Sequence, residues 1–119
     1  MLPHTRAIVA AAAYAFIFRK KVAGVHDHST KQDLQIAAET RGEHLQAYDG
    51  DRSARFGGDL PELYDAGDEA FVSLAVDGMT ARGYDRNSSS HYSLTVTDGM
   101  VQLYVHDLEA WFDYTIRTV

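Results

Sequence analysis

Cysteine is missing from this 119-residue chain, proline occurs twice and tryptophan once. Without cysteine there are no disulfides, no thiol nucleophile and no thiolate zinc site, a composition that suits the cytoplasm better than a small secreted domain. Positive charge is also scarce, with 11 Lys and Arg against 17 Asp and Glu and a formal net charge of −6. A phosphate backbone would be repelled, so nucleic acid is not an expected partner. No apolar run reaches the roughly 20 residues of a membrane span. Catalytic signatures are lacking too: there is no glycine-rich phosphate loop after a strand, no Gly-x-Ser-x-Gly elbow and no His-Glu-x-x-His pair. The sequence therefore leans away from an enzyme and implies no cofactor.

What is present is one domain's length of chain, 45% hydrophobic and 24% charged. Residues 7–18 are apolar without a break and are followed by Arg19, Lys20 and Lys21. A cleaved leader would carry small residues there, so the segment reads as a retained core helix over residues 5–21, with Thr5 as N-cap and Gly24 as the stop. Being apolar on every face, it should be buried on most sides.

Beyond Gly24 the hydrophobic period shortens to two. In "SHYSLTVT" Tyr92, Leu94 and Val96 alternate with His91, Ser93, Thr95 and Thr97, and in "VQLYV" Val101, Leu103 and Val105 alternate with Gln102 and Tyr104. "VDGM" and "TDGM" between such runs are hairpin turns, because Asp-Gly tolerates the positive φ that tight turns need. Strands are expected near 70–76, 79–85, 91–97, 100–106 and 110–116. An earlier half over 25–56 repeats the scheme less cleanly. Asp59, Pro61 and Glu62 read as the start of a short connector helix over 60–66, placing the second half at 70–117. The expected fold is thus mainly β: an antiparallel meander of eight or nine strands in two related halves, a half-barrel or small barrel on one apolar N-terminal helix.

Residues 45–56 and 101–112 align with 5 identities in 12, at Gln46/Gln102, Tyr48/Tyr104, Asp51/Asp107, Ala54/Ala110 and Phe56/Phe112. A repeated hairpin accounts for this, since Asp and Ser after a strand turn the chain by bonding their own backbone.

Two function classes follow. The first is a non-enzymatic binding or protein-interaction domain, self-association included, using the solvent face of the strands: Gln46, Tyr48, Tyr84, His91, Gln102 and Tyr104. Tyrosine, glutamine and histidine together stack and hydrogen-bond. The second is a metal or small-ligand site, or a small enzyme, at the strand-end loops, drawn from His26, His28, Asp49, Asp51 and Asp107, with Asp85, His91 and His106 in the same pool. His26 and His28 project to one side if extended, as two ligands of one ion require. "DGDRS" at 49–53 opens like a calcium loop, but the twelfth position is Leu60 in place of the closing acid.

Overall fold

The computed structural model describes residues 1–119 as one helix and twelve strands. Helix α1 spans Pro3–Phe18. The strands are β1 (Val22–Asp27), β2 (Gln32–Leu34), β3 (Ile36–Arg41), β4 (His44–Asp49), β5 (Ala54–Asp59), β6 (Glu62–Asp65), β7 (Ala70–Ser73), β8 (Ala75–Asp77), β9 (Thr80–Asp85), β10 (Ser90–Thr97), β11 (Met100–Val105) and β12 (Ala110–Thr118). All pairings are antiparallel. β12 pairs with β1 and β9 pairs with β10, so ten strands close into a barrel in the order β1-β3-β4-β5-β6-β7-β9-β10-β11-β12.

The two remaining strands, β2 and β8, lie off that path and complete its two thinnest joints. β1 pairs with β2 through three residues and with β3 only at Val22↔Ala38. β9 likewise meets β7 only at Val72↔Asp85 and then pairs with β8. At the second joint the Ser73 carbonyl crowds Gly83 so closely that a Cβ there would fall on it, which leaves glycine as the residue that fits.

The helix lies along the lumen. Ala7 to Ala13 have no exposed surface, and every residue from Thr5 to Phe16 is buried. The wall around it presents Val25, Ile36, Leu45, Leu94, Leu103 and Ile116. An eight-stranded barrel is filled by its own side chains, whereas ten strands leave room for a helix if that helix is slim. Ala10 to Ala13 provide the slimness and are also the best helix formers. At 1.5 Å per residue the helix is about 24 Å long, enough to run the height of the barrel. At its far end the Tyr14 hydroxyl accepts a hydrogen bond from the Gly99 amide at 3.0 Å, and the Thr40 hydroxyl donates to the Ala15 carbonyl at 3.3 Å.

Three expectations need correction. The helix starts after Leu2 and stops at Arg19, which adopts the left-handed conformation. Thr5 lies inside it with no cap bond, and Gly24 belongs to β1. Residues 60–66 are not a helix: Leu60 and Pro61 form a two-residue turn into β6, in which Leu63 and Asp65 point inward and Tyr64 outward. Asp59 pairs with His44 across the strands and does not cap anything. The barrel is closed by ten strands, more than the eight or nine expected, because β6 falls in the stretch read as a connector helix; the single strand expected at 70–76 is broken at Leu74 into β7 and β8.

Candidate functional site

The barrel has two unlike ends. Residues 42–43, 60–61, 78–79 and 98–99 make tight turns at one end. At the other, five loops of four residues (28–31, 50–53, 66–69, 86–89 and 106–109) follow β1, β4, β6, β9 and β11. Each ends on a residue of positive φ: Lys31, Ser53, Glu69, Ser89 and Glu109, all between 50° and 57°. In four loops the strand closes on a buried aspartate, Asp27, Asp49, Asp65 or Asp85, whose carboxylate accepts backbone N–H bonds from the loop. That is the aspartate turn chemistry of the sequence, used to fix loop shape. Val105 takes the position in the fifth loop. The helix N-terminus emerges among these carboxylates, where negative charge complements its dipole.

One ion-pair network ties helix to loops. Arg52 donates to Asp65 at 3.0 and 3.3 Å, to Asp49 at 3.4 Å and to Asp68 at 3.4 Å, while His4 Nε2 lies 2.7 Å from Asp68 Oδ2. Burial opposes ionisation of Asp65, but the Arg52 hydrogen bond and charge, with the Asp68 and Gly67 amides, outweigh it and hold the carboxyl below its usual range. Those same carboxylates hold the Arg52 guanidinium above its ordinary value against the opposing effect of burial. His4, Asp65 and Asp68 converge closely enough for a metal, yet Arg52 already donates to both carboxylates and supplies the positive charge.

The metal candidates are dispersed around this mouth. Asp49 joins the Arg52 network, and Asp51 accepts the backbone N–H of Gln35 at 3.0 Å. Asp107 accepts the Ser90 hydroxyl at 3.3 Å. His26 and His28 stand outside the wall with ring centroids 5.0 Å apart, His26 against Asp33 at 2.8 Å and His28 against Thr115 at 2.7 Å.

Just inside the mouth, Arg6 stacks over Phe112 at 3.9 Å and donates to the Met1 carbonyl at 2.7 Å. Its Nε and the hydroxyls of Thr5 and Tyr114 are buried without partners. Burial and the neighbouring Asp27 push the Tyr114 hydroxyl up to about 12, offset in part by Arg6, which approaches outside hydrogen-bond geometry. A raised folded value stabilises the protein below the ordinary tyrosine range and stops doing so as pH rises through the folded value. Tyr114→Phe should therefore leave stability at pH 7 unchanged or raise it by up to about 1 kcal/mol, because it removes an unpaired buried hydroxyl. Between about pH 10 and 12 the wild type should lose stability that the variant keeps. Urea midpoints at pH 7 and pH 11 read both effects, and a loss of more than about 1 kcal/mol at pH 7 would mean that the hydroxyl is paired.

The outer wall carries a different pattern. The residue two before each loop's first position pairs across the hairpin with the residue seven later: His26↔Asp33, Tyr48↔Arg55, Tyr64↔Phe71, Tyr84↔His91 and Tyr104↔Trp111. The last three pairs stand on six consecutive strands of the barrel, β6-β7-β9-β10-β11-β12, with ring centroids 4.9, 4.6 and 4.9 Å apart. Trp111 is 63% and Phe71 44% exposed. Along β9 and β10 run two adjoining depressions of about 470 and 440 Å³ that share Arg82 and Ser93. Trp111 borders one of them, and Tyr84, His91 and His106 border the other.

Of the residues expected on the solvent face, Tyr84, His91, Gln102 and Tyr104 thus lie together on β9–β11. Gln46 and Tyr48 face outward on β4, five strands round from β10 and so on the opposite side. Trp111, Phe71 and Tyr64 were not expected, although the spacing of seven from a pre-loop Tyr to an aromatic residue is visible in "YDAGDEAF" and "YVHDLEAW". These features define a closed ten-stranded antiparallel barrel filled by its own N-terminal helix, with an aromatic outer wall. Compared with protein-family models, curated proteins and solved structures, the chain gives no match. No helix in it is long and apolar enough to cross a membrane.

Proposed function

We propose that the chain is a small non-enzymatic protein-interaction domain whose partner lies on the β9–β12 wall. The observation that carries this reading is the exposed run of aromatic pairs, with Trp111 the most exposed of its rings. The lumen is occupied by the helix, and Asp49, Asp65 and Asp68 at the mouth are engaged with Arg52. Large exposed apolar patches on single domains mark interaction surfaces, and Trp, Tyr and Arg are the residues that dominate binding energy there. Arg82 between the rings favours a partner segment with an acidic residue, and the two adjoining depressions suit an extended chain. A second copy of the protein is one such partner.

The test pairs wild type with Tyr104→Ala/Trp111→Ala. Both residues lie outside the core cluster, so the double variant should melt as the wild type does. Peptides selected from a displayed random library against the wild type should lose at least about 2 kcal/mol, roughly thirtyfold in affinity, on the double variant. Sedimentation over a concentration series asks the same question of self-association. Peptides that bind both forms equally, together with a self-association that the substitutions leave unchanged, would sink the reading.

A further inference from the structure

On the opposite side of the barrel a groove of about 880 Å³ crosses the outer faces of β1, β3, β4 and β5. Strand register fixes its grid: Ala37, Tyr48 and Arg55 stand in one row and Glu39, Gln46 and Gly57 in the next. The floor is low because Ala37 and Gly57 project little or nothing. Gly57 has no alternative, since a Cβ there would run into the Leu45 carbonyl on the neighbouring strand. A convex wall thereby acquires a hollow within the size range of small-molecule pockets.

The charges around the hollow are unequally matched. Lys21 pairs with Glu39 at 3.4 Å, and His44 Nδ1 lies 2.8 Å from Asp59 Oδ1. Arg55 has no ion-pair partner, although the protein as a whole is acidic. Beside it the exposed ring of Tyr48 and the amide of Gln46 make no side-chain hydrogen bond within the chain. A guanidinium fork, an open aromatic face and a free amide within one hollow match a flat ligand bearing one carboxylate.

We propose that this groove is a binding site for a planar organic monocarboxylate, with its ring on Tyr48, its carboxylate on Arg55 and Gln46 as a further hydrogen-bonding group. Glu39 and Asp59 at the rim disfavour a dianion such as phosphate, and the unpaired Arg55 disfavours a cation. This site is separate from the interaction wall and does not depend on it.

The probe is 2-naphthoate, followed by amide chemical shifts of the full chain, with 2-naphthalenemethanol as its neutral counterpart and inorganic phosphate as an anion without a ring. The expected result is a set of shifts confined to Ala37, Gln46, Tyr48, Arg55 and Gly57, with a midpoint in the micromolar to millimolar range. Arg55→Gln and Tyr48→Ala, both on the solvent face, should each weaken 2-naphthoate by about tenfold or more while the melting curve stays intact. The neutral compound should bind wild type about tenfold more weakly and ignore Arg55→Gln. Three results would overturn the assignment: no shifts up to about 10 mM, shifts centred on Tyr84 and Trp111, or equal binding to Arg55→Gln. Phosphate that competes at equal concentration would replace the carboxylate class with a general anion site.

Discussion

A chain lacking residues 1–19 should fail to melt cooperatively and should bind a hydrophobic dye such as ANS. β1 begins at Val22, so this truncation leaves every wall strand intact and removes only the lumen filling. Ile8, Val9, Tyr14 and Phe16 alone are large and at least 96% buried. At roughly 1.5 to 3 kcal/mol for each fully buried side chain of this size, their loss amounts to about 6 to 12 kcal/mol. Net stabilities of single domains are about 5 to 15 kcal/mol, so little or nothing is left to hold the barrel closed. The wall's inward Leu, Val and Ile would then face an empty cylinder, and the twelve strands would collapse on one another without fixed packing. A full-length control separates lost filling from lost chain length. Ala11→Asp places a carboxylate where there is no exposed surface, and the unpaired group should cost several kcal/mol. Circular dichroism in the near and far ultraviolet, with thermal melts, reads both proteins. A truncated chain that melts cooperatively with native near-ultraviolet signal would show that the barrel stands without its helix.

Strict alternation carried the legible part of the fold. Tyr92, Leu94 and Val96 are inward as their spacing implies, and both Asp-Gly turns join strands. The all-round apolar stretch at 7–18 is helical and buried on every side as far as Phe16. Local pattern could not supply barrel closure, because closure depends on strand number and tilt summed around the ring. It misled at residues 59–62, where Asp, Pro and Glu satisfy the signals of a helix start and also those of a tight turn; the inward Leu63 and Asp65 decide for a strand. A buried Asp65 was not foreseeable from periodicity, since a carboxylate reads as a solvent residue until Arg52 and two loop amides are seen around it. On the wall, Tyr84, His91 and Tyr104 followed from alternation. Trp111 did not, because only Ala110 separates it from a polar loop, and only its cross-strand partner Tyr104 shows which face it joins.

Arg52→Ala should lower stability at pH 7 by about 3 kcal/mol, which for a chain of this size is a fall of roughly 10 °C in Tm. The loss is larger than that of a surface ion pair because Asp65 is 1% exposed and Asp49 3%, leaving carboxylates desolvated without their counter-ion. The dependence on pH distinguishes this cause from lost packing. In the wild type Asp65's folded value lies below the ordinary carboxylate range, so its contribution is complete above about pH 4, the unfolded value, and is lost as pH falls toward the folded one. In the variant the cation is gone and burial acts with less opposition, which raises the folded value. A raised value favours folding only at low pH, and its stability is lost as pH rises. The gap between the two proteins should therefore be widest near neutrality and narrow steadily as pH is taken from 7 toward 3.5. Urea unfolding at pH 7, 5 and 3.5 measures that gap directly. A deficit of the same size at all three would assign Arg52 a packing role, and the mouth of the barrel would be held together by its loop amides alone.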